Sequence, residues 1–366
     1  LDLGFCPTPL LDEVRTRFIR HGGIRRSTAR RHLRSTLQEA GTKVVFCYDI
    51  AAYNITRRAV ALKSIRVIYV KCGGPTLTLY YPKPDNLIVY SDEDKIFFDE
   101  KLPSSVMAKI PNRVSERLLK EKQVSLSEEA LHALAKTAGD TGNVEKIVCI
   151  ARVGHAYEQK IRRAFDYLRA QKEAGRTAIL TVIGSVQHEE VMERLWKESP
   201  PGTLFLSDTF HTKDSARFLS NFDTAIATGR GTVEACLTEL KVLVPFDAGR
   251  QLAVLTSDNY AGLIRSNFSG RARPDELAEA LPRDLTPDDA ERARDWIRRD
   301  FGVENAATQL RVFLDQLKPA RVPPMKEVIL GAAYFFYVAM RERSRIIRSL
   351  SRRLRAKHIA SYGTPK

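Results

Sequence analysis

The chain has 366 residues, with 59 Lys and Arg against 44 Asp and Glu, a formal net charge of +15, and 43% hydrophobic residues. At roughly 150 residues per domain this length predicts two domains with separate cores. With 20 Gly, 17 Pro and no biased tract, the composition excludes collagen, long disorder and a disulfide mini-protein.

Residues 1–8 lack the basic start and apolar core of a signal peptide, and the first residue is Leu, so an amino terminus incomplete at its start is expected. From residue 41 onward, short β-branched runs at 43–48 (KVVFCY), 66–70 (RVIYV), 86–90 (NLIVY) and 106–110 predict strands separated by helical or turn segments. Near-continuous apolar strands of this kind belong to a parallel α/β sheet. Residues 125–137 read as a helix and 139–143 (GDTGN) as a turn or linker. The alternation then begins again. Strands are predicted at 146–151, 178–183, 203–206, 224–227 and 241–245, and helices at 160–174, 189–197, 215–221 and 232–240. Two further helical patterns, 287–301 and 304–317, precede a Pro-rich hinge at 319–324. Strand and helix in strict succession predict a second doubly wound domain.

Charge is concentrated at the ends. Residues 321–366 hold eleven Lys and Arg against two Glu, and residues 1–40 eight Arg against four acids, which leaves +2 for the middle. The run 328–340 is uncharged and contains Tyr334, Phe335, Phe336 and Tyr337; it is too short to span a bilayer. The following stretch, 341–357, spaces Ile346, Ile347, Leu350 and Leu354 at helical intervals among arginines. Together, residues 326–357 suit an anionic membrane surface, or else a packed helix with a solvated basic tail. Nucleic acid is a poorer partner, because the aromatics cluster instead of interleaving with the cations.

The segment 223–246 (DTAIATGRGTVEACLTELKVLVPF) runs from a strand through Thr228, Gly229, Arg230, Gly231 and Thr232 into a helix. Free N–H groups and the positive helix end then point into the loop, which suits a phosphate. In this reading Thr232 caps the helix, and Glu234, in its first turn, accepts ribose hydroxyls. In 147–163 (IVCIARVGHAYEQKIRR), Arg152 follows a buried strand, with Gly154 and His155 beside it, and Lys160 heads the next helix. Arg152 and Lys160 converging on a diphosphate would neutralise a leaving group. Another strand ends at Gly184. Asp92, Glu93 and Asp94 make a formal D-x-D, read here as a turn or helix cap. The five cysteines (Cys6, Cys47, Cys72, Cys149, Cys236) form no C-x-x-C pair and fit a reducing compartment. No H-E-x-x-H motif or Cys/His cluster predicts zinc, and neither G-x-S-x-G nor a P-loop is present.

The succession IVCIARV, TVIGSV, LFLSDTF, DTAIATGRGTVEAC, KVLVPFD and DDAERARDWIRRDF resembles the donor-binding half of GT-B retaining glycosyltransferases of the large family 4 group. NLIVYSDE leading on to AKIPNRV is similar to the end of that family's first domain, with Arg113 at the family's Gly. The resemblance covers about residues 42–317. It implies two Rossmann-like doubly wound domains facing a cleft, to which a basic helical tail is added here. The expected boundaries are 1–124 for the acceptor side, 125–318 for the nucleotide-sugar domain and 319–366 for hinge and tail.

The same resemblance implies sugar transfer from a nucleotide-diphosphate sugar, with retention, to a saccharide or lipid-linked saccharide, without a metal or other cofactor. It assigns Arg152 and Lys160 to the diphosphate, Gly229 to Thr232 to the phosphate loop, and Glu234 to the second Glu of an E-x7-E motif, whose first Glu would fall at Ile226. The expected location is cytoplasmic, peripheral on the inner face of the cell membrane. The alternatives are a nucleotide-sugar epimerase and a non-catalytic GT-B protein that binds nucleotide sugar or membrane.

Overall fold

The computed structural model describes residues 26–60, 64–74, 83–138, 144–277 and 285–320, together with Ile329. The linker at 139–143 and, Ile329 apart, the apolar and basic stretches at 328–357 lie outside the described residues.

Four strands, β1 (Val44–Cys47), β2 (Arg66–Val70), β3 (Asn86–Val89) and β4 (Val106–Lys109), pair in that order and in parallel. All of β3 and the last four residues of β2 are buried, as expected of strands covered on both faces. One face is covered by α1 (Arg26–Glu39), α2 (Ile50–Val60) and α3 (Asp92–Lys101), through Leu33, Tyr53 and Phe98 packed with Leu87. Ser91 caps α3, its Oγ accepting from Asp94 N at 3.1 Å, and Asp92, Glu93 and Asp94 form the first turn. The acidic triplet is therefore a helix start, where carboxylates oppose the positive end of the dipole.

After α4 (Glu116–Glu121) and α5 (Glu128–Ala138) comes the second sheet: β5 (Glu145–Ile150), β6 (Ala178–Ile183), β7 (Thr203–Leu206), β8 (Thr224–Ile226), β9 (Lys241–Phe246) and β10 (Gln251–Val254). Its order is β10-β9-β8-β5-β6-β7, and within it β10 runs antiparallel to β9. The helices that follow in the chain are α6 (Glu158–Glu173), α7 (Glu189–Glu198), α8 (Thr209–Thr212), α9 (Arg230–Leu237) and α10 (Ser257–Arg265). The helix expected at 215–221 is a 3₁₀ segment, Ser215–Asn221. β10 escapes the sequence pattern because it is a four-residue edge strand whose first two positions are not buried. The chain winds outward from β5 through β6 to β7, then returns to the other flank of β5 with β8. The topological switch point, where open α/β sheets bind ligands, thus lies between the carboxyl ends of β5 and β8.

α11 (Pro287–Phe301) packs on the second sheet, with Ala293, Ile297 and Phe301 in its core. Gly302 then ends α11 and starts α12 (Val303–Asp315), which crosses to the first sheet. Ala306, Phe313 and Leu317 join Ile68, Val70, Ile88 and Ile110 in one cluster. Fully buried Asn86 fixes the return: its Nδ2 donates to Lys318 O and its Oδ1 accepts from Lys318 N, both at 2.8 Å. The sequence reading assigns 304–317 to the second domain; by packing, this helix belongs to the first sheet, because its apolar stripe meets the open face of β2 and β3. Phe313→Ala should lower stability by about 3–5 kcal/mol, the range for emptying a buried aromatic site. Urea unfolding measures this, and a loss under about 1 kcal/mol would mean that α12 is not anchored by this side chain.

Candidate functional site

The eleven site residues expected from sequence all lie at the carboxyl edge of the second sheet, in or beside the loops that follow β5, β6 and β8. Gly184 lets two of those strand ends meet: a Cβ there would lie 1.9 Å from Ala151 O. Gly154 is similarly enclosed, by Gln187 and His188. The His155 and His188 rings are 4.5 Å apart, and His155 Nε2 lies 3.4 Å from Glu190. Arg152 is exposed, with its guanidinium 4.9 Å over the Tyr157 ring and hydrogen-bonded to the Tyr157 hydroxyl.

Lys160 is placed differently from Arg152. Its helix starts at Glu158, so Lys160 faces inward under the loop after β8. The Nζ donates to Ile150 O at 2.8 Å and makes a long contact of 3.5 Å to Thr228 Oγ1. Burial pushes its pKa down, against a small opposing effect from Cys149. Among the described residues no carboxylate forms an ion pair with it. A buried ammonium without an acid partner is costly, and groups perturbed in this way cluster at functional sites.

Gly229 takes φ +56°, a conformation that glycine adopts without strain, and forms the amino-terminal cap of α9. The helix therefore starts at Arg230, two residues before the expected position, and Thr232 is not the cap. Its side chain is fully buried, and Oγ1 lacks a partner among the described residues. Gly229 N–H donates to Phe268 O at 3.0 Å and Thr232 N–H to Gly229 O at 3.1 Å. This leaves the N–H groups of Arg230 and Gly231 at the helix entrance, and no acid occupies the first turn of α9 to offset its dipole. Glu234 is largely buried, which raises its pKa; Arg230 Nε, at 2.7 Å from Oε1, works in the opposite direction. Ile226, where the family's first Glu would fall, lies within β8 at 0% exposure between Cys149 and Leu243. A carboxylate at this position would enter the core and not the cleft.

Two strained loops behind the loop that opens α9 are absent from the sequence reading. Asp247 and Ala248 have φ of 52° and 55°, and Asn267 and Phe268 of 56° and 52°. Non-glycine residues in this region cost about 1–3 kcal/mol each and cluster at functional sites. Gly249 N bonds Gly270 O at 3.1 Å and Asp247 N bonds Ala272 O at 2.7 Å, tying the two loops together. The signal was present in DAGR and SNFSGR, since Asp, Asn, Ser and Gly tolerate turns.

The second of these loops reaches the first domain. Arg271 Nε donates to Glu93 Oε1 and Oε2 of α3 at 3.1 and 2.9 Å, and its guanidinium occupies the space that a side chain at Gly74 would need. Beneath it, Lys71 Nζ donates to Cys72 O and Gly74 O at 3.1 and 2.9 Å. Neighbouring Asp94 is 2% exposed, and burial pushes its carboxyl up to about 6, despite the Ser91 hydroxyl and the cations of Lys71 and Arg271. No group of three or more His, Cys, Asp or Glu able to hold a metal occurs among the described residues.

No protein-family model matches the chain, and no curated protein does. Solved structures match its fold. A glycosyltransferase from Rickettsia africae ESF-5 is 15% identical, with TM-score 0.57 over 84% of this chain and 86% of that one. Trehalose-6-phosphate synthase OtsA is 13% identical, with TM-score 0.57 over 80% of this chain and 77% of that one. A UDP-forming α,α-trehalose-phosphate synthase from Burkholderia xenovorans is 11% identical, with TM-score 0.54 over 79% and 77%. At these identities the likeness is one of fold, and the fold is that of the GT-B glycosyltransferases, as the order of motifs implied.

The native Asp94 carboxyl keeps its proton where the unfolded one, near 3.8, has lost it. The stability it contributes is complete below about 3.8 and is lost as pH rises through about 6. Asp94→Asn removes this loss, so the variant should gain on the native protein by about 2–3 kcal/mol between about pH 4 and pH 7. Melting temperatures across that range test it; a constant difference would mean an Asp94 carboxyl that titrates as in water.

Proposed function

We propose that the protein transfers a sugar from a nucleotide-diphosphate donor, bound at the switch point of the second sheet, to a saccharide or lipid-linked saccharide held between the domains. The observation that carries this reading is Lys160, a buried ammonium without a carboxylate partner among the described residues, directly beneath the loop that opens α9. A diphosphate arriving at that loop supplies the missing counter-charge. The N–H groups of Arg230 and Gly231 and the end of α9 bind its oxygens, and Arg152 swings from Tyr157 to cover it from solvent. Glu234, released from Arg230, accepts the ribose hydroxyls. Catalysis then consists mainly of orienting the glycosyl carbon and stabilising the departing diphosphate in a preorganised positive site. Retention of configuration follows the family resemblance.

Among the described residues no helix is long and apolar enough to cross a membrane. We place the protein in the cytoplasm, on the inner face of the membrane, held there by the basic residues of 326–357.

A calorimetric panel of UDP, GDP, ADP and CMP should show one diphosphate that binds. Arg152→Ala and Lys160→Met should each weaken it by about 10- to 100-fold, the loss of one charge-assisted hydrogen bond. No binding across the panel, or unchanged affinity in both variants, sinks the assignment. In flotation with phosphatidylserine vesicles, the full chain should rise with the lipid and a chain lacking 321–366 should not; equal recovery refutes the membrane role.

A further inference from the structure

A cavity of about 130 Å³ lies between the carboxyl ends of β3 and β4 and the start of α12, lined by none of the residues assigned to the donor. Tyr90, Pro111 and Ile264 give it apolar walls. Its polar groups are unevenly satisfied. Asp300 is engaged at both oxygens: Oδ1 accepts from Arg299 Nε at 2.7 Å, and Oδ2 accepts from the Tyr260 hydroxyl at 2.8 Å and from Arg299 Nη2 at 3.0 Å. Asp92 Oδ1 pairs with Lys109 Nζ at 2.7 Å, which leaves Oδ2 and further N–H groups on the ammonium. Gln309 Oε1 is buried with no donor among the described residues, while its Nε2 has only Asn305 Oδ1 at 3.4 Å, long for an amide bond.

A ligand that completes this set must donate to Gln309 and Asp92, accept from Lys109 and lay an apolar face on the walls. A free anion meets Asp92 and Asp300, an organic cation meets Lys109, and an apolar molecule leaves Gln309 orphaned at a cost. Adjacent hydroxyls on a carbon ring meet every requirement. The volume exceeds several times the roughly 30 Å³ share of one water and falls short of the roughly 300 Å³ of a drug-sized site, so it fits a single ring. We propose that this cavity is a saccharide subsite that seats one hydroxylated ring of the acceptor. The assignment rests on the glycosyl-transfer reading above. It places that ring against both domains, since Ile264 and Asp300 come from elements of the second and Tyr90, Asp92 and Lys109 from the first.

Saturation-transfer NMR with the methyl glycosides of glucose, galactose, mannose and N-acetylglucosamine tests it, alongside calorimetry with UDP, GDP, ADP and CMP on the same full-length protein. At least one glycoside should bind, and Gln309→Leu and Lys109→Met, chosen on different elements, should each weaken it by about tenfold while diphosphate affinity stays the same. Nucleotide binding without any glycoside, or glycoside binding equal in both variants, overturns the subsite and leaves the donor site standing. Glycoside binding without any nucleotide supports the subsite and sinks the transfer reading, whereas silence from both ligands sinks both.

Discussion

The winding of the second sheet is the constraint from which the rest follows. Parallel strands need right-handed crossovers, and a sheet that grows from β5 in one direction and then resumes on its other flank leaves two loops diverging at one edge. Only there can backbone N–H groups and side chains surround a ligand without disrupting a ladder. Gly184 and Gly229 serve this geometry directly: the first lets β5 and β6 close up, and the second turns the chain so that α9 starts with its N–H groups exposed.

The site is held in a state of unmet electrostatic demand. Lys160 sits where its charge is disfavoured and no acid among the described residues balances it, Arg152 rests on an aromatic ring, and Glu234 occupies Arg230. Replacing Lys160 by an apolar residue of similar length would suit the core better. Asp94 and Lys71 repeat the theme across the cleft, a carboxyl and an ammonium both displaced by burial at the ends of strands.

Two structures couple the domains. α12 and the Asn86 amide bind the end of the second half to the first sheet by packing and paired hydrogen bonds. Arg271 crosses the other way, its Nε–H shared between the two carboxylate oxygens of Glu93. The loop that carries Arg271 also contributes Phe268 O to Gly229 N–H, so the segment touching the loop before α9 is the one touching α3. Only Ser269 and Gly270 separate these two contacts, and Asn267 and Phe268 just before them are held in left-handed conformations.

Local chemistry alone determined the alternation of apolar runs and amphipathic helices, the glycines of the loop before α9, and the concentration of positive charge at the ends. These depend on spacing within a few residues, and spacing survives in a one-dimensional string. The same string singles out Arg152 and Lys160 together, but not that one is exposed and the other buried. That difference depends on α6 beginning two residues before Lys160, which turns its side chain inward. Tertiary structure alone decided that α12 leaves its own domain, that residue 226 is a core position, that Asn267 stands beside the loop before α9 and Arg271 against α3, and that Gln309 faces a cavity with Asp92. Each of these joins residues tens to hundreds of positions apart, and no local preference encodes which distant partner a buried polar atom will have.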